Sequence, residues 1–394
     1  MHLNPFSYEF HQDPYPTYRW LRDNAPLYHN PDLSFYALSR FRDVVAASQD
    51  WRTYSSAEGT LVERLDPRMF EATPMMIFTD PPRHDRLRKL VSSVFTPRRV
   101  AELEPFIREV TIRLLEPLAA QGGGDFVKDF SAPLPMEVIF TMLGVPADDR
   151  RQLRGWMDQS LDRDRDTPAI PARAIEASMH LMQYWLGLLW SLRRNPNDGL
   201  IRGLLEATIS DDEGGESKLS DGEIVGFCSL LGAAGNETVT KLLANAAVLL
   251  ARQPDQYVKL LGAAQAIPNA VEEVLRFWPP SQYQGRTVTR DVEWYGTTVA
   301  AGSRILLLTG SATRDEREYA DADRFDIERS IPLALGFGQG VHFCLGASLA
   351  RLESRVALEE FTRRFPRYAI DENRCRRVHM SNVHGFESVP FQVV

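Results

Sequence analysis

The sequence predicts a mainly α protein with small β-sheets, folded as a single domain over residues 1–394. Apolar residues follow helical spacing from about residue 84 to residue 265, with few interruptions. After Pro280 the pattern changes to short β-rich runs with turn glycines, which are typical of small sheets. We find no internal repeat and no linker that would divide the chain.

Composition and charge exclude several classes of protein. Hydrophobic residues make up 44% of the chain and charged residues 25%, which is an ordinary globular balance. The net charge of -8 argues against a nucleic-acid-binding protein. The polar N-terminal segment lacks the pattern of a signal peptide, and no apolar stretch reaches the ~18 residues of a membrane span. We therefore expect a soluble, cytoplasmic protein without a membrane anchor.

The three cysteines are Cys228, Cys344 and Cys375, and no CxxC pair occurs. An odd number of widely separated cysteines argues against a disulfide framework and against a structural zinc site. The role of each cysteine must therefore be sought in its own local sequence.

The N-terminal quarter alternates helix, hairpin and loop. Residues 15–26 predict a short helix ended by proline, residues 27–40 a β-hairpin, and residues 41–50 a second helix. Residues 57–80 show no clear period and include Met75 and Met76. A flexible apolar loop of this kind can line a pocket for a hydrophobic ligand. Packing of the same side chains into the core is an equally good interpretation.

A single long helix is predicted from Ser220 to the residue before Pro254. Ser220 and Glu223 have the spacing of a capping box at its start. More than thirty residues of helical pattern would be long enough to cross the whole domain. Gly232 and Gly235 are expected to weaken the helix near its middle, at ~1 kcal/mol each relative to alanine.

The middle of this helix carries a threonine and an acid side by side. Thr238 falls on the buried face, and Glu237 adjoins it. A buried hydroxyl beside a carboxylate could hold water and relay protons inward. From the helix alone, the simpler interpretation is favoured, in which Thr238 bonds back to the carbonyl of Ala234 and Glu237 reaches solvent.

Several charged residues stand at informative spacings. His84 and Arg88 are four apart on one helix face, and Arg286 lies in an uncharged stretch. Each could be an ordinary surface residue, but together they could bind buried carboxylates of a ligand. Glu273 and Arg276 are three apart on a helix, either as an exposed pair worth ~0.5 kcal/mol or as an internal ion pair.

The segment FGQGVHFCLG, residues 337–346, places Cys344 between a glycine-rich loop and a helix. The helix is indicated by apolar residues at steps of four, three and four: Leu345, Leu349, Leu352 and Val356. A helix N-terminus lowers the pKa of a thiol, and Gly340 and Gly346 would let the backbone approach a flat, bulky group. A nucleophile with His342 as base, a zinc ligand and a buried free cysteine remain alternatives, but a haem-iron thiolate fits the loop best.

With these segments placed, the sequence resembles the cytochrome P-450 family, in particular its soluble bacterial members, over nearly the whole chain. The matching segments, in chain order, are HDRLR (84–88), AGNET (234–238), the ExxR pair Glu273 and Arg276, DADRF (321–325), and the FxxGxxxCxG loop around Cys344. The bacterial pattern often has histidine ten residues before the cysteine, where this chain has Ala334. This departure implies that one propionate contact is either missing or supplied by another residue.

The resemblance implies a cytochrome P-450 fold, with haem b (iron protoporphyrin IX) between the long central helix and the helix that follows the cysteine loop. Cys344 would be the axial ligand of the haem iron. Thr238 and Glu237 would guide protons, and Glu273 and Arg276 would form a structural ion pair. The remaining haem-binding residues implied are His84, Arg88, Arg286, Phe337, Gly338 and His342.

The resemblance also implies a monooxygenase that uses O2 and a small hydrophobic substrate. Its electrons would come from a ferredoxin and a ferredoxin reductase that oxidises NAD(P)H. Alternatives are a haem sensor or carrier and a peroxide-driven oxygenase of the same fold. The predicted substrate pocket contains Met75, Met76, Leu231, Ala234 and Tyr283. A basic patch for an acidic partner is expected from Arg86, Lys89, Arg98, Arg99 and Arg355.

Overall fold

The computed structural model describes residues 2–160, 164, 170–195, 199–210, 215–380 and 382–394. Helices dominate these residues, and five small sheets lie among them. The mainly α fold with small sheets that the sequence predicts is confirmed. Within the described ranges, no helix combines the length and the apolar character needed to cross a bilayer.

The helices account for most of the chain and are joined by short 3-10 turns and one π-helical turn. In chain order they are α1 (Tyr8–Gln12), α2 (Tyr15–Asn24), α3 (Phe41–Gln49), α4 (Arg83–Val94), α5 (Pro97–Ala101), α6 (Glu104–Ala120), α7 (Pro133–Leu143), α8 (Arg150–Ser160), α9 (Ala172–Arg194), α10 (Leu200–Glu206), α11 (Asp221–Arg252), α12 (Pro254–Gly262), α13 (Ile267–Phe277), α14 (Thr309–Ala312) and α15 (Ala347–Arg364). The predicted helices at 15–26 and 41–50 correspond to α2 and α3.

The strands are short and form one larger sheet and four small ones. They are β1 (Leu27–Asn30), β2 (Phe35–Leu38), β3 (Tyr54–Ser55), β4 (Gly123–Asp125), β5 (Thr208–Ser210), β6 (Glu216–Lys218), β7 (Gln284–Val288), β8 (Val292–Trp294), β9 (Thr297–Val299), β10 (Arg304–Leu307), β11 (Tyr368–Ile370), β12 (Arg376–Arg377), β13 (Phe386–Ser388) and β14 (Pro390–Val393). The largest sheet has the order β1-β2-β10-β7-β3, and only its β2–β10 pair is parallel. The predicted hairpin at 27–40 is its β1–β2 edge.

The central helix α11 is 32 residues long, which corresponds to roughly 48 Å. Its capping box is formed as predicted, because Ser220 accepts from the backbone of Glu223 and the carboxylate of Glu223 accepts from the backbone of Ser220. Helices α7, α9, α13 and α15 pack around it. Nearly every side chain from residue 239 to residue 250 is buried, so this half of the helix forms the middle of the core.

The two glycines in the middle of α11 serve close packing. The helix continues through Gly232 and Gly235 without a break. A Cβ atom on Gly235 would lie 2.5 Å from Cδ1 of Ile139 on α7, and one on Gly232 would collide with Met157 on α8. Their low helix propensity is therefore the cost of bringing α7 and α8 against the central helix.

The pair Glu273–Arg276 on α13 is fully buried and belongs to the interior. Nε and Nη2 of Arg276 donate to the two carboxylate oxygens of Glu273 at 2.6 and 2.8 Å. The guanidinium also donates to the carbonyls of Thr313, Ala322 and Arg324. Of the two interpretations that the sequence allowed, the internal ion pair is the one observed. It ties α13 to the irregular segment before the cysteine loop.

Candidate active site

The cysteine loop is built from two 3-10 turns that lead into α15. The turns span Leu335–Phe337 and Gly340–His342, and Gly346 caps the helix. The backbone N–H of Cys344 donates to the carbonyl of Phe337 at 2.9 Å. The N–H of Gly346 donates to the sulfur of Cys344. The loop therefore holds the thiol at the helix start with a hydrogen-bond donor directed at it.

Two glycines of the loop share a backbone conformation but differ in their surroundings. Gly338 and Gly340 both have a φ of 73°, a left-handed conformation that side chains disfavour. A Cβ atom on Gly340 would collide with the carbonyl of Ser48 at the end of α3, whereas one on Gly338 would meet no atom within 4 Å. The structure therefore gives a reason for Gly340 that the sequence did not suggest, which is its close approach to the backbone at the end of α3.

The thiol of Cys344 has a raised pKa, although the residue itself is exposed. Burial of the sulfur among protein atoms raises the pKa, and the Gly346 N–H and the charges of Arg88 and Arg351 offset part of that rise. The sequence predicted a lowered pKa from the helix N-terminus. Desolvation of the sulfur outweighs that effect here.

Arg351 was not found from the sequence, although it lies seven residues, or two helical turns, after Cys344. Its guanidinium lies 4.5 Å from the ring centroid of Phe337 and pairs with Glu272 at 2.6 Å. This contact connects the cysteine loop to both α15 and α13. The helical period after the cysteine is the signal that could have identified it.

Four residues from distant parts of the sequence gather beside the loop. The rings of His84 on α4 and His342 in the loop have centroids 4.5 Å apart. Burial, followed by the charges of Arg286 and by His84 and Arg88, lowers the pKa of His342 to about 2. Arg88 is also close enough to Cys344 to lower the pKa of that thiol. His84, Arg88, Arg286 and His342 thus form one cluster, called here the cationic cluster.

The cationic cluster contains polar groups that need an anionic or acceptor partner. Nε2 of His84 and Nε2 of His342 are buried without a hydrogen-bond partner. Arg286 is buried, and none of the described carboxylates forms a salt bridge with it; burial lowers its pKa to about 10, so it stays charged. A ligand with carboxylate groups would satisfy all of these atoms at once, so the donor set fits a haem with its two propionates.

The threonine and the acid of the central helix each have a partner within the helix. Oγ1 of Thr238 donates to the carbonyl of Ala234 at 2.9 Å. Glu237 forms a salt bridge with the buried Lys241 at 2.7 Å. Asp158 on α8 is a second acid near this pair. Its pKa is raised, mainly by burial and also by the charge of Glu237, and the charges of Arg154 and Lys241 offset part of that rise. Lys241 was missed in the sequence, although its i,i+4 spacing from Glu237 signals the pair.

The predicted pocket residues differ in how far their side chains are exposed. Ala234 is exposed in the middle of α11, and Leu231 and Met75 are partly exposed. Met76 is 8% exposed and packs in the main core. Tyr283 is 1% exposed and lies in a separate core cluster beneath the largest sheet, together with Tyr18. The side chain of Tyr283 thus packs in the sheet's own core, and its part in the pocket stays a prediction.

Three of the five residues in the predicted basic patch pair with the chain's own carboxylates. Arg86 pairs with Glu223 at 2.7 Å, and Arg355 pairs with Glu104 and Glu359. Arg98 lies 3.4 Å from Glu102, and Arg99 donates to the carbonyl of Val94. Among the described residues, Lys89 is the one member without a recorded ion pair or hydrogen bond. Arg99 and Lys89 have no carboxylate partner among the described residues, so the ion pairs of the other three reduce the predicted basic patch without removing it.

A buried acid that the sequence gave no reason to select lies on α15. Glu353 is 1% exposed, and neither of its carboxylate oxygens has a hydrogen-bond partner. Burial raises the pKa of Glu353 to about 8. The side chain is therefore largely protonated and neutral at pH 7.

Replacing Glu353 with glutamine is expected to flatten the pH dependence of stability. In the unfolded chain the acid ionises near its ordinary pKa of 4.5, whereas in the fold it holds its proton up to about 8. The wild-type free energy of unfolding should therefore fall by roughly 3 kcal/mol between pH 5 and pH 8 through this group. Urea unfolding of both proteins at several pH values measures the difference. The exposed Glu116→Gln serves as control, and parallel curves for Glu353→Gln and wild type would contradict the prediction.

Comparison with known proteins identifies a family model, curated relatives and solved structures that match this chain. The family model for cytochrome P450 matches residues 169–378. Cytochrome P450 123 of Mycobacterium tuberculosis is 44% identical over 396 residues, covering 99% of this chain and 96% of the relative. The vitamin D(3) 25-hydroxylase of Pseudonocardia autotrophica is 40% identical and covers 90% of this chain and 86% of the relative. The solved structure of CYP109Q5 from Chondromyces apiculatus has a TM-score of 0.89 at 32% identity, covering 100% of this chain and 98% of that one.

Proposed function

The chain belongs to the cytochrome P450 family and is a monooxygenase, and we propose that it inserts one oxygen atom of O2 into a C–H bond of a small hydrophobic substrate. The observation that supports this most directly is the placement of Cys344. Its sulfur accepts a backbone N–H at a helix start, and two arginines and two histidines, buried or half-buried, gather beside it. A thiol beside a cluster that can bind carboxylates suits the iron and the propionates of one haem.

The cysteine loop and the cationic cluster would hold different parts of the haem. Cys344 would bind the iron through its sulfur, and Phe337 and Gly338 would help to hold the haem. Arg88, Arg286, His84 and His342 would bind the propionates, with the two unpartnered Nε2 atoms as donors. When bound, a haem with a thiolate ligand supplies the electron density that favours cleavage of the O–O bond.

The surroundings of the sulfur stabilise its negative charge. The Gly346 N–H donates to it, and Arg88 and Arg351 contribute positive charge. Arg351 is held in place by Phe337 and Glu272, so it cannot swing away from the loop without losing both contacts. These groups offset the desolvation that otherwise favours the neutral thiol.

Thr238 and Glu237 are proposed to bring protons to the reaction site. The hydroxyl of Thr238 could exchange its bond to the carbonyl of Ala234 for a bond to a water molecule and so hold a proton beside the substrate. Glu237 would pass protons through its carboxylate, one oxygen of which is held by Lys241 at 2.7 Å. Lys241 is thus proposed as a positioning residue that restrains Glu237 between turnovers.

The substrate is proposed to be apolar and to lie between α11 and the loop at 57–80. Leu231, Ala234 and Met75 are among the accessible apolar residues there, and the short turn Met76–Phe78 packs against α11. An apolar substrate also agrees with the vitamin D(3) named for the relative from Pseudonocardia autotrophica. Apolar contacts would expel water and leave the proton route through Thr238 as the polar path.

Electrons are proposed to come from a ferredoxin, itself reduced by an NAD(P)H-dependent reductase. Reconstitution tests the whole proposal: the haem-loaded protein is mixed with a ferredoxin, its reductase, NAD(P)H and a compound that shifts the haem absorption spectrum. Consumption of NAD(P)H with formation of a hydroxylated product in matching amounts is the expected result. Binding of such compounds without any oxygenated product would overturn the proposed reaction.

Replacing Thr238 with alanine is expected to separate electron use from product formation. The hydroxyl that guides protons is lost, so the yield of product per NAD(P)H should fall by roughly tenfold or more. NAD(P)H consumption and product are measured side by side, with Thr240→Ala, which removes a buried hydroxyl two residues on, as control. Unchanged yield, with full turnover on hydrogen peroxide alone, would instead favour a peroxide-driven oxygenase.

A further inference from the structure

A cavity of about 610 Å³ lies apart from the cysteine loop. It is enclosed by α1 and α2, the ends of α11 and α13, and the chain around β12. Its lining residues are Gln12, Asp13, Tyr15, Pro16, Arg19, Arg252, Phe277, Trp278, Arg314, Asp323, Arg377 and His384. Cys344, the cationic cluster and the proposed substrate pocket contribute none of these residues. The volume is in the range of small-molecule sites, which is ~300–1,000 Å³.

The cavity is rich in arginines that are held by aromatic rings. Four arginines and two aspartates line it. The guanidinium of Arg314 lies 4.0 Å from the ring centroid of Tyr15 and 3.6 Å from that of Phe277. Arg377 lies 4.7 Å from the ring of Trp278 and 4.0 Å from that of Phe386. Stacking uses the faces of these groups and leaves the N–H donors at their edges available.

The arginines differ in whether they already have anionic partners. Arg314 pairs with Asp323 at 2.8 Å, and Arg252 pairs with Glu372 at 2.6 Å. Arg377 has no ion pair with any described carboxylate, and its Nη1 is buried without a hydrogen-bond partner. Arg377 as a whole is partly exposed, but a buried N–H donor without an acceptor, such as its Nη1, costs free energy.

His384 adds two further unused polar atoms to the same cavity. The residue is 2% exposed, and neither Nδ1 nor Nε2 has a hydrogen-bond partner. Its backbone is fixed, because its N–H donates to the carbonyl of Pro280 and its carbonyl accepts from Asn245 of α11. Asn245 also donates to the carbonyl of Trp278, so one side chain of the central helix holds two walls of the cavity.

We propose that this cavity binds a small organic oxyanion through its carboxylate or phosphate group. Two oxygens of the anion would accept from the edge of Arg377, and a further oxygen would accept from a ring N–H of His384. Arginine is suited to this because its planar donors match the spacing of carboxylate and phosphate oxygens. The space beyond the anionic group, bordered by Trp278 and Tyr15, would hold the rest of the molecule.

Isothermal titration calorimetry of the haem-loaded protein tests the proposal, with inorganic phosphate and citrate as separate probes. We expect saturable binding of at least one probe, and the tighter one identifies the anionic group. Arg377→Gln should weaken that binding by about tenfold or more, since a charge-assisted hydrogen bond is lost. Arg376→Gln is the matched control: it removes the same charge from the same strand, but Arg376 pairs with Glu387 at 2.8 Å outside the cavity.

A second variant keeps the test decisive if Arg377→Gln yields too little folded protein. Arg252 lies at the rim with 40% of its side chain exposed, so Arg252→Gln is expected to fold. The change leaves Glu372 unpaired near the cavity and should weaken probe binding about threefold. Absence of saturable binding to the wild type would overturn the proposal. Equal affinities of wild type, Arg377→Gln and Arg252→Gln would overturn it as well.

Discussion

Replacing Cys344 with serine is expected to remove both the monooxygenase activity and the thiolate-specific spectrum of the protein. A serine hydroxyl does not ionise under conditions where a thiol bound to iron does, so the electron-rich sulfur ligand is lost. Changing even an indirect partner of a metal ligand typically costs 10–100-fold in activity. Loss of the ligand itself should therefore cost more than ~100-fold. The spectrum of the reduced carbon-monoxide complex and the turnover rate measure the effect.

The chain provides a matched control for this experiment. Cys375 is a partly buried cysteine at the end of a 3-10 turn, far from the loop in sequence, and its sulfur approaches the carbonyl of Asp371 at 3.6 Å. Cys375→Ser should keep the wild-type spectrum and activity. Should Cys344→Ser show the same carbon-monoxide spectrum as wild type, the haem would have another ligand and the proposed site would be wrong.

The parts of the site that depend on neighbouring residues could be predicted from the sequence. The glycine-rich turn, the cysteine and the helix at 347–364 follow one another, so spacing alone places Cys344 at a helix start. The capping box of α11 is equally local, since Ser220 and Glu223 are three residues apart. In both places the physical cause is contained within a few turns of chain.

The parts that depend on tertiary packing could not be derived in this way. His84, Arg286 and His342 are hundreds of residues apart at the extremes, and only the fold brings the two histidine rings to 4.5 Å. Desolvation is likewise a property of the folded surroundings, so the direction of the Cys344 pKa shift was predicted wrongly. Tyr283 shows the same limit, because the sequence around it does not indicate which of the hydrophobic core clusters its side chain joins.

Replacing Arg276 with lysine is expected to destabilise the fold by about 5 kcal/mol, although the charge is retained. The guanidinium makes two hydrogen bonds to Glu273 and three to backbone carbonyls, from three different nitrogens. Lysine has one nitrogen and cannot reach both the carboxylate and the three carbonyls. Breaking a buried ion pair typically costs ~3–5 kcal/mol, and the orphaned carbonyls add to it. We therefore expect a lower urea midpoint and little haem-loaded protein.

An exposed arginine distinguishes this effect from a general cost of changing arginine to lysine. Arg202 forms an i,i+4 pair with Glu206 at 3.0 Å, with 44% and 66% of the two side chains exposed. Arg202→Lys should change the free energy of unfolding by less than ~1 kcal/mol. Because the carbonyls of Thr313, Ala322 and Arg324 lie on the segment that leads to the cysteine loop, haem incorporation should fall together with stability in Arg276→Lys. A wild-type urea midpoint in that variant would show that the buried pair does not hold this segment in place.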